Sequence, residues 1–224
     1  MELPKQEDKE AAAQSAKVRF REIIRQTSLQ SSEEPVFRLA SGKMSRHYVD
    51  CKQALSDPEA RGLIGQLFLE RIAGSAFDAV GGLEIGAYPI ATSVSDALFR
   101  ASSAKVRAFV IRKEPKKHGV QDLIAGCVRL GDKALIVDDV VTAGSSTIKA
   151  IRVARDAGLI VERVIVLIDR QEEDGKRNIE AEGVSFEALI TLSELLDDSD
   201  QGTTSSTDPN RVAQKQPARS VVAG

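Results

Sequence analysis

Residues 134–147 constrain the fold of this chain more than any other stretch. The apolar run 134–137 is typical of a buried β-strand, and two adjacent carboxylates, Asp138 and Asp139, follow it. A short segment of small residues comes next, and we predict a helix over 145–157. Free backbone N–H groups at a helix start bind phosphate, and paired carboxylates can hold the vicinal hydroxyls of a sugar. The stretch therefore predicts a site for a ribose phosphate.

The rest of the chain alternates between apolar strands and helices. We predict strands at 77–80, 106–112, 161–168 and 184–190, and helices at 11–27, 89–100 and 192–196. Asp57-Pro58 predicts the start of a further helix, because Asp caps a helix well and Pro fits its first turn. Apolar strands that alternate with helices indicate an α/β fold whose parallel sheet is covered on both faces.

Composition sets the domain limits and excludes several classes of function. We expect residues 1–10 to be disordered, 11–197 to form one domain, and the polar segment 198–224 to be a disordered tail. A formal net charge of −2 argues against a nucleic-acid binder. No apolar run is long enough for a membrane span, and the charged N-terminus has no signal-peptide core, so we expect a cytoplasmic protein. Cys51 and Cys127 lack the spacing of a zinc site.

A cluster of positive charge follows the strand at 106–112. Pro115 and Gly119 indicate that the segment is a loop, and its basic residues are Arg112, Lys113, Lys116, Lys117 and His118. Such a loop suits a mobile flap that closes on a polyanion such as diphosphate. An ordinary solvated basic loop explains the same segment equally well.

Three more features fall at predicted strand ends. The hydroxyls of Thr142, Ser145, Ser146 and Thr147 add hydrogen-bond donors to the loop after the acidic pair. The Gly-rich stretch 81–91 is either a second anion-binding loop or a tight strand–helix connection. Arg170 follows the strand at 161–168, where its guanidinium can hold a planar carboxylate or form a surface salt bridge.

Together these motifs resemble the type I phosphoribosyltransferases, and within them the orotate branch. The matching segments are 37–50, 82–91, 112–119 and 137–146, with Asp169-Arg170 beyond them. The resemblance implies a central, mostly parallel sheet flanked by helices, with a small N-terminal hood. It also implies transfer of a phosphoribosyl group from 5-phosphoribosyl diphosphate to orotate in pyrimidine biosynthesis. Mg²⁺ would be held mainly by the diphosphate and ribose, and the flap of each subunit in a homodimer would cross to the neighbouring site.

The resemblance also assigns roles to individual residues. Asp138 and Asp139 would bind the ribose hydroxyls, and together with Lys116 and His118 they would form the catalytic set. The diphosphate would be bound by Arg112, Lys113, Lys116 and His118. The 5′-phosphate would lie in the loop formed by Val140, Val141, Thr142, Ala143, Gly144, Ser145 and Ser146. Thr142 and Arg170 would hold orotate, Arg170 through the carboxylate of the base.

Two departures and two alternatives accompany this interpretation. Ala40 and Gly86 stand where some bacterial members of the branch carry lysine. One alternative is transfer to another base, a purine or uracil, but Arg170 and the complete flap favour a carboxylated pyrimidine. The other is a regulator that senses 5-phosphoribosyl diphosphate without catalysis. Such a protein would usually add a basic DNA-binding module, and the acidic start of this chain does not resemble one.

Overall fold

The computed structural model describes residues 6–39, 42–114 and 123–197. Its N-terminal part forms a small hood from helices α1 (Gln6–Thr27) and α2 (Lys52–Ser56) and strands β1 (Leu29–Ser31), β2 (Phe37–Arg38), β3 (Met44–Ser45) and β4 (His47–Val49). Strands β1 and β4 pair in antiparallel fashion, as do β2 and β3. Helix α1 begins at Gln6, inside the segment that we expected to be disordered, because Glu, Lys and Gln there favour helix. The tail predicted at 198–224 lies outside the described residues.

A six-stranded sheet forms the centre of the molecule. Its strands are β5 (Ala79–Leu83), β6 (Arg107–Ile111), β7 (Ile124–Gly126), β8 (Lys133–Val141), β9 (Ile160–Asp169) and β10 (Ser185–Thr191). Their order is β10-β9-β8-β5-β6-β7, and all neighbours are parallel except β6 and β7. The remaining helices are α3 (Pro58–Arg71), α4 (Ala87–Ser102), α5 (Ser145–Asp156), α6 (Gly175–Glu180) and α7 (Leu192–Leu196). The predicted α/β fold with a mostly parallel sheet, flanking helices and an N-terminal hood is confirmed.

Helices cover both faces of the sheet, so the strands separate two apolar cores. On β8, Leu135 and Val137 face the core that includes helices α1 to α4 and α7. Ala134 and Ile136 face the core that includes α5 and α6. This alternation follows from the two-residue period of a strand, and because both faces are buried the strand sequence is apolar throughout.

Local sequence signals fix the ends of several helices. The side chain of Asp57 accepts a hydrogen bond of 2.8 Å from the Glu59 N–H, and Pro58 occupies the first turn of α3, as predicted. Helix α7 begins with a reciprocal capping box between Thr191 and Glu194. In the described part of the chain, no helix is both long enough and apolar enough to cross a bilayer.

Candidate active site

The predicted site lies where the connections of the sheet change direction. From β5 the chain continues to β6 on one side, whereas β8, on the other side of β5, continues to β9 and β10. The loops that follow β5 and β8 therefore diverge, and open parallel sheets bind their ligands in the crevice formed at such a point. The pairing of β5 with β8 runs from Ala79–Ala134 to Gly81–Ile136, whereas β8 stays paired with β9 as far as Val141–Asp169. The acidic pair thus lies within β8 rather than after its end, because β9 extends the strand.

Asp138 is a buried carboxylate, with 5% of its surface exposed. One oxygen accepts a hydrogen bond of 2.7 Å from the Thr147 hydroxyl, and the other accepts one of 3.1 Å from the Asp139 N–H. Burial, together with the neighbouring charge of Asp139, raises the pKa of Asp138 to about 7. Thr147 is itself fully buried, so its hydroxyl holds Asp138 and is not one of the phosphate donors that we expected.

Asp139 points to the opposite side of the strand, towards the loop after β5. Its carboxylate accepts a hydrogen bond of 2.9 Å from the Val140 N–H. A methyl group built on Gly86 would lie 2.6 Å from the Asp139 Oδ1 atom, so the loop backbone passes close to this carboxylate, and a side chain at this position would have to displace it. Burial raises the pKa of Asp139, and the Lys52 ammonium acts in the opposite direction. Asp138 thus bonds to helix α5, and Asp139 lies beside the loop after β5.

The loop from Thr142 to Gly144 leads directly into α5. Gly144 caps this helix with a φ of 84°, a left-handed conformation that is strained for residues with a Cβ. The side chain of Asn178 donates a hydrogen bond of 3.0 Å to the Ala143 carbonyl, which fixes the loop from the side of α6. Ser145 and Ser146 are exposed at the start of α5. The loop therefore presents backbone N–H groups and two hydroxyls to an anion.

The start of the basic flap is attached to the loop after β5. The Lys113 N–H donates a hydrogen bond of 2.8 Å to Glu84, and the Lys113 carbonyl accepts one of 2.9 Å from the Lys149 ammonium. The Arg112 side chain is half-buried, while that of Lys113 is exposed. Lys116 and His118 lie outside the described residues.

Arg170 follows β9 and is buried, with 3% of its surface exposed. Its backbone N–H donates a hydrogen bond of 3.0 Å to the Val141 carbonyl, which places it beside Thr142. Its guanidinium contacts the hood through the Ser45 hydroxyl at 3.2 Å and the His47 carbonyl at 3.0 Å. The same guanidinium forms a salt bridge with Glu172 at 3.0 Å. Because the Arg170 side chain is buried, this ion pair differs from the surface salt bridge that we considered from the sequence.

The structure places the candidate residues from Asp138 to Ser146 on β8, on the loop after it and on the first turn of α5, and the Arg170 N–H bonds to Val141 beside them. Arg112 and Lys113 follow β6, where the Lys113 N–H bonds to Glu84. Sequence reasoning missed three charged residues of the site, namely Glu84, Glu172 and Lys52. A charged residue inside a Gly-rich loop was the available signal for Glu84. Glu172 and Lys52 gave no signal, because their roles depend on loop conformation.

The donor set of the site limits how a metal ion is held. Asp138 and Asp139 offer the oxygen ligands that hard cations prefer. Within the described ranges, no cluster of three or more His, Cys, Asp or Glu side chains is arranged to hold a metal ion. Among the described side chains, the oxygens of the acidic pair thus suit a hard cation.

Comparison with known families agrees with this architecture. The family model of the phosphoribosyl transferase domain matches residues 53–189, which contain both diverging loops, the acidic pair and Arg170. The fold and the site accordingly define a phosphoribosyltransferase domain.

Individual relatives indicate which branch of the phosphoribosyltransferases the chain resembles. The orotate phosphoribosyltransferase of Aquifex aeolicus is 45% identical over 78% of this chain and 94% of its own length. A crystal structure of the Mycobacterium tuberculosis orotate phosphoribosyltransferase has 33% identity and a TM-score of 0.69, covering 80% of this chain and 98% of that one. The same enzyme in complex with 5-phospho-α-D-ribosyl 1-diphosphate has 30% identity and a TM-score of 0.64, covering 81% and 92%. This chain belongs to the phosphoribosyltransferase family and, within it, to the orotate phosphoribosyltransferases.

Proposed function

We propose that this protein transfers the 5-phosphoribosyl group from 5-phosphoribosyl diphosphate to orotate, giving orotidine 5′-phosphate and diphosphate. The observation that carries the proposal is the acidic pair of β8 at the switch point, with Asp138 buried and Asp139 half-buried, followed directly by the loop at the start of α5. The curated relatives named above support orotate as the acceptor base.

The sugar-phosphate half of the reaction would use the end of β8 and the loop after it. Asp138 and Asp139 accept hydrogen bonds from the ribose hydroxyls, and residues 140–146 wrap the 5′-phosphate. The N–H groups at the start of α5 favour the phosphate charge without any basic side chain in the loop. Because Asp138 is anchored by Thr147 and Asp139 lies against Gly86, the sugar is held in one orientation.

The diphosphate half would use the loop after β5 and the basic flap. Arg112, Lys113, Lys116 and His118 neutralise the charge that builds up on the departing diphosphate. The hydrogen bond from the Lys113 N–H to Glu84 joins the start of the flap to the loop after β5, so the two parts of the proposed diphosphate site are linked directly. This arrangement would place positive charge opposite the acidic pair.

The acceptor base would lie between the end of β9 and the hood. Arg170 binds the orotate carboxylate, and Thr142 contacts the base from the phosphate loop. Departure of diphosphate gives the sugar carbon cationic character, as in glycoside chemistry, and a ring nitrogen of orotate attacks that carbon. No covalent protein intermediate is needed, so positioning and electrostatics supply the rate. Closure of the flap excludes water and protects the activated sugar from hydrolysis.

Magnesium, subunit assembly and location complete the proposal. Mg²⁺ would be held mainly by oxygens of the diphosphate and the ribose, and it would supply positive charge to the departing diphosphate. We expect a homodimer in which the flap of one subunit closes over the site of the other, and a cytoplasmic location.

A spectrophotometric assay of orotate consumption tests the proposal directly. We expect orotate turnover that depends on 5-phosphoribosyl diphosphate and falls sharply when Mg²⁺ is removed with EDTA. Turnover of hypoxanthine, adenine or uracil in place of orotate would instead indicate the alternative transferase. Salt-dependent DNA binding without any turnover would indicate the regulator.

Replacement of the flap lysine separates catalysis from folding. Lys116→Ala should lower kcat by about 10²- to 10³-fold, because one preorganised charge on the leaving group is lost. The thermal unfolding midpoint should stay at the wild-type value. Lys117→Ala, one residue further along, is the matched control and should cost much less. Equal losses in both variants would contradict the specific role of Lys116.

Replacement of Arg170 tests the base-binding half. Arg170→Ala should raise the KM for orotate by at least about 10-fold, since a charge-assisted bidentate contact is lost. The KM for 5-phosphoribosyl diphosphate should change little. A variant that is only less stable, with an unchanged KM for orotate, would remove Arg170 from the substrate site.

A further inference from the structure

Arg170 is held in this structure by a carboxylate of the protein itself. Glu172 Oε2 accepts hydrogen bonds from Nε at 3.2 Å and from Nη2 at 3.0 Å, and Glu172 Oε1 accepts one from Nη2 at 3.1 Å. Glu172 thus occupies the Nε–Nη2 edge of the guanidinium, one of the edges that can bind a carboxylate in bidentate fashion. The Nη2 atom is also held by Ser45 and His47 of the hood.

An entering carboxylate would meet this internal one. A second negative charge on the same guanidinium would lie close to the Glu172 charge in a partly desolvated site, and like charges at such distances repel. Because the Nε–Nη2 edge accommodates one bidentate carboxylate, one of the two acidic groups must yield this edge. The Arg170 side chain, 2% exposed, has no solvent to turn into, whereas that of Glu172 is 29% exposed and can swing outwards.

We propose that the Glu172 carboxylate binds and neutralises Arg170 when no base is bound. The carboxylate of the arriving base then displaces it. This inference rests on the proposed role of Arg170 in binding orotate. It makes Glu172 a specificity-determining residue. A carboxylated base can replace the Glu172 carboxylate on Arg170, whereas an uncarboxylated base leaves the internal pair intact and gains nothing from the arginine.

The test measures orotate binding when the competing charge is removed. Glu172→Gln keeps the size of the side chain but loses its charge. Its KM for orotate should fall by about 5-fold, comparable to the net contribution of one ordinary hydrogen bond. The KM for 5-phosphoribosyl diphosphate and the inhibition constant of uracil should stay at their wild-type values, because neither ligand brings a carboxylate to Arg170.

Two further variants separate competition from other effects. Glu173→Gln removes a charge from the same loop, but this carboxylate lies 3.6 Å from Lys43 rather than on Arg170, so the KM for orotate should not fall. Glu172→Asp keeps the charge on a shorter side chain, and its KM for orotate should lie between those of the wild type and Glu172→Gln. Thermal unfolding of each variant monitors the fold.

The possible results distinguish this inference from the proposed function. An unchanged or raised KM for orotate in Glu172→Gln would overturn it, because Glu172 would then be neutral or would position Arg170 for the substrate. An equal fall in Glu173→Gln would overturn it too, since general electrostatics would explain the change. If the wild type does not consume orotate, or Arg170→Ala keeps its KM, the proposed function itself fails.

Discussion

Replacing Asp138 with asparagine tests how much the buried negative charge of this carboxylate destabilises the folded protein. The variant keeps the shape of the side chain and removes the charge. Thr147 can still bond to it, because a hydroxyl both donates and accepts and so suits either atom of the amide. Asp138→Asn therefore isolates the cost of burying a negative charge at this position.

The magnitude follows from the pKa of the buried carboxyl. A rise from its ordinary value of 3.8 to about 7 corresponds to about 4 kcal/mol at most, at about 1.4 kcal/mol per pH unit. Since the pKa is higher in the folded state than in the unfolded state, the native protein binds more protons between these values. The free energy of unfolding therefore falls as the pH rises from about 4 to about 7.

Urea unfolding of the ligand-free protein at pH 5 and pH 8 measures the effect. At pH 8, Asp138→Asn should be more stable than the wild type by about 2–4 kcal/mol, while at pH 5 the difference should be smaller. Transferase activity should fall by orders of magnitude, because the ribose loses an ionisable acceptor. Glu180→Gln, an exposed carboxylate on α6, should show neither change. A stability difference that is the same at both pH values would refute the reasoning.

Two glycine substitutions test the geometry of the loops. Gly86→Ala should lower kcat at least about 10-fold with little loss of stability, because the new methyl group would displace the Asp139 carboxylate. Wild-type kinetics would contradict the close approach of Gly86 to Asp139. Gly144→Ala should lower the free energy of unfolding by about 1–3 kcal/mol, because φ is 84° and the methyl would lie 2.9 Å from Ile179 Cγ1. It should also raise the KM for 5-phosphoribosyl diphosphate, and an unchanged urea midpoint would argue against the strain.

Local sequence patterns predicted the regular elements because their causes are local. The buried strand at 134–137, the capped start of α3 and the helix at 192–196 all follow from periodicity or from a capping residue. The end of β8 was misplaced because its last residues are strand only through pairing with β9. Tertiary pairing is not encoded in the local pattern.

The positions of the candidate residues in the fold were predictable, but their contacts were not. The acidic pair, the phosphate loop and Arg170 each had a chemical signature at a strand end. The contact of Gly86 with Asp139 joins residues far apart in the chain, and only the folded sheet brings them together. The salt bridge between Arg170 and Glu172 depends on the path of one loop, and no spacing rule predicts it.

The contacts of Arg170 and the acidic pair come from different parts of the fold, the hood and the central sheet. Ser45 and His47 of the hood contact the guanidinium of Arg170, the proposed base-binding residue, whereas the acidic pair and the loop after it come from the central sheet. We therefore expect a substitution at Ser45 to alter the surroundings of Arg170 while Asp138, held by Thr147, keeps its place. With the base on Arg170 as proposed, the base preference can change in this way while the sugar-phosphate site stays the same.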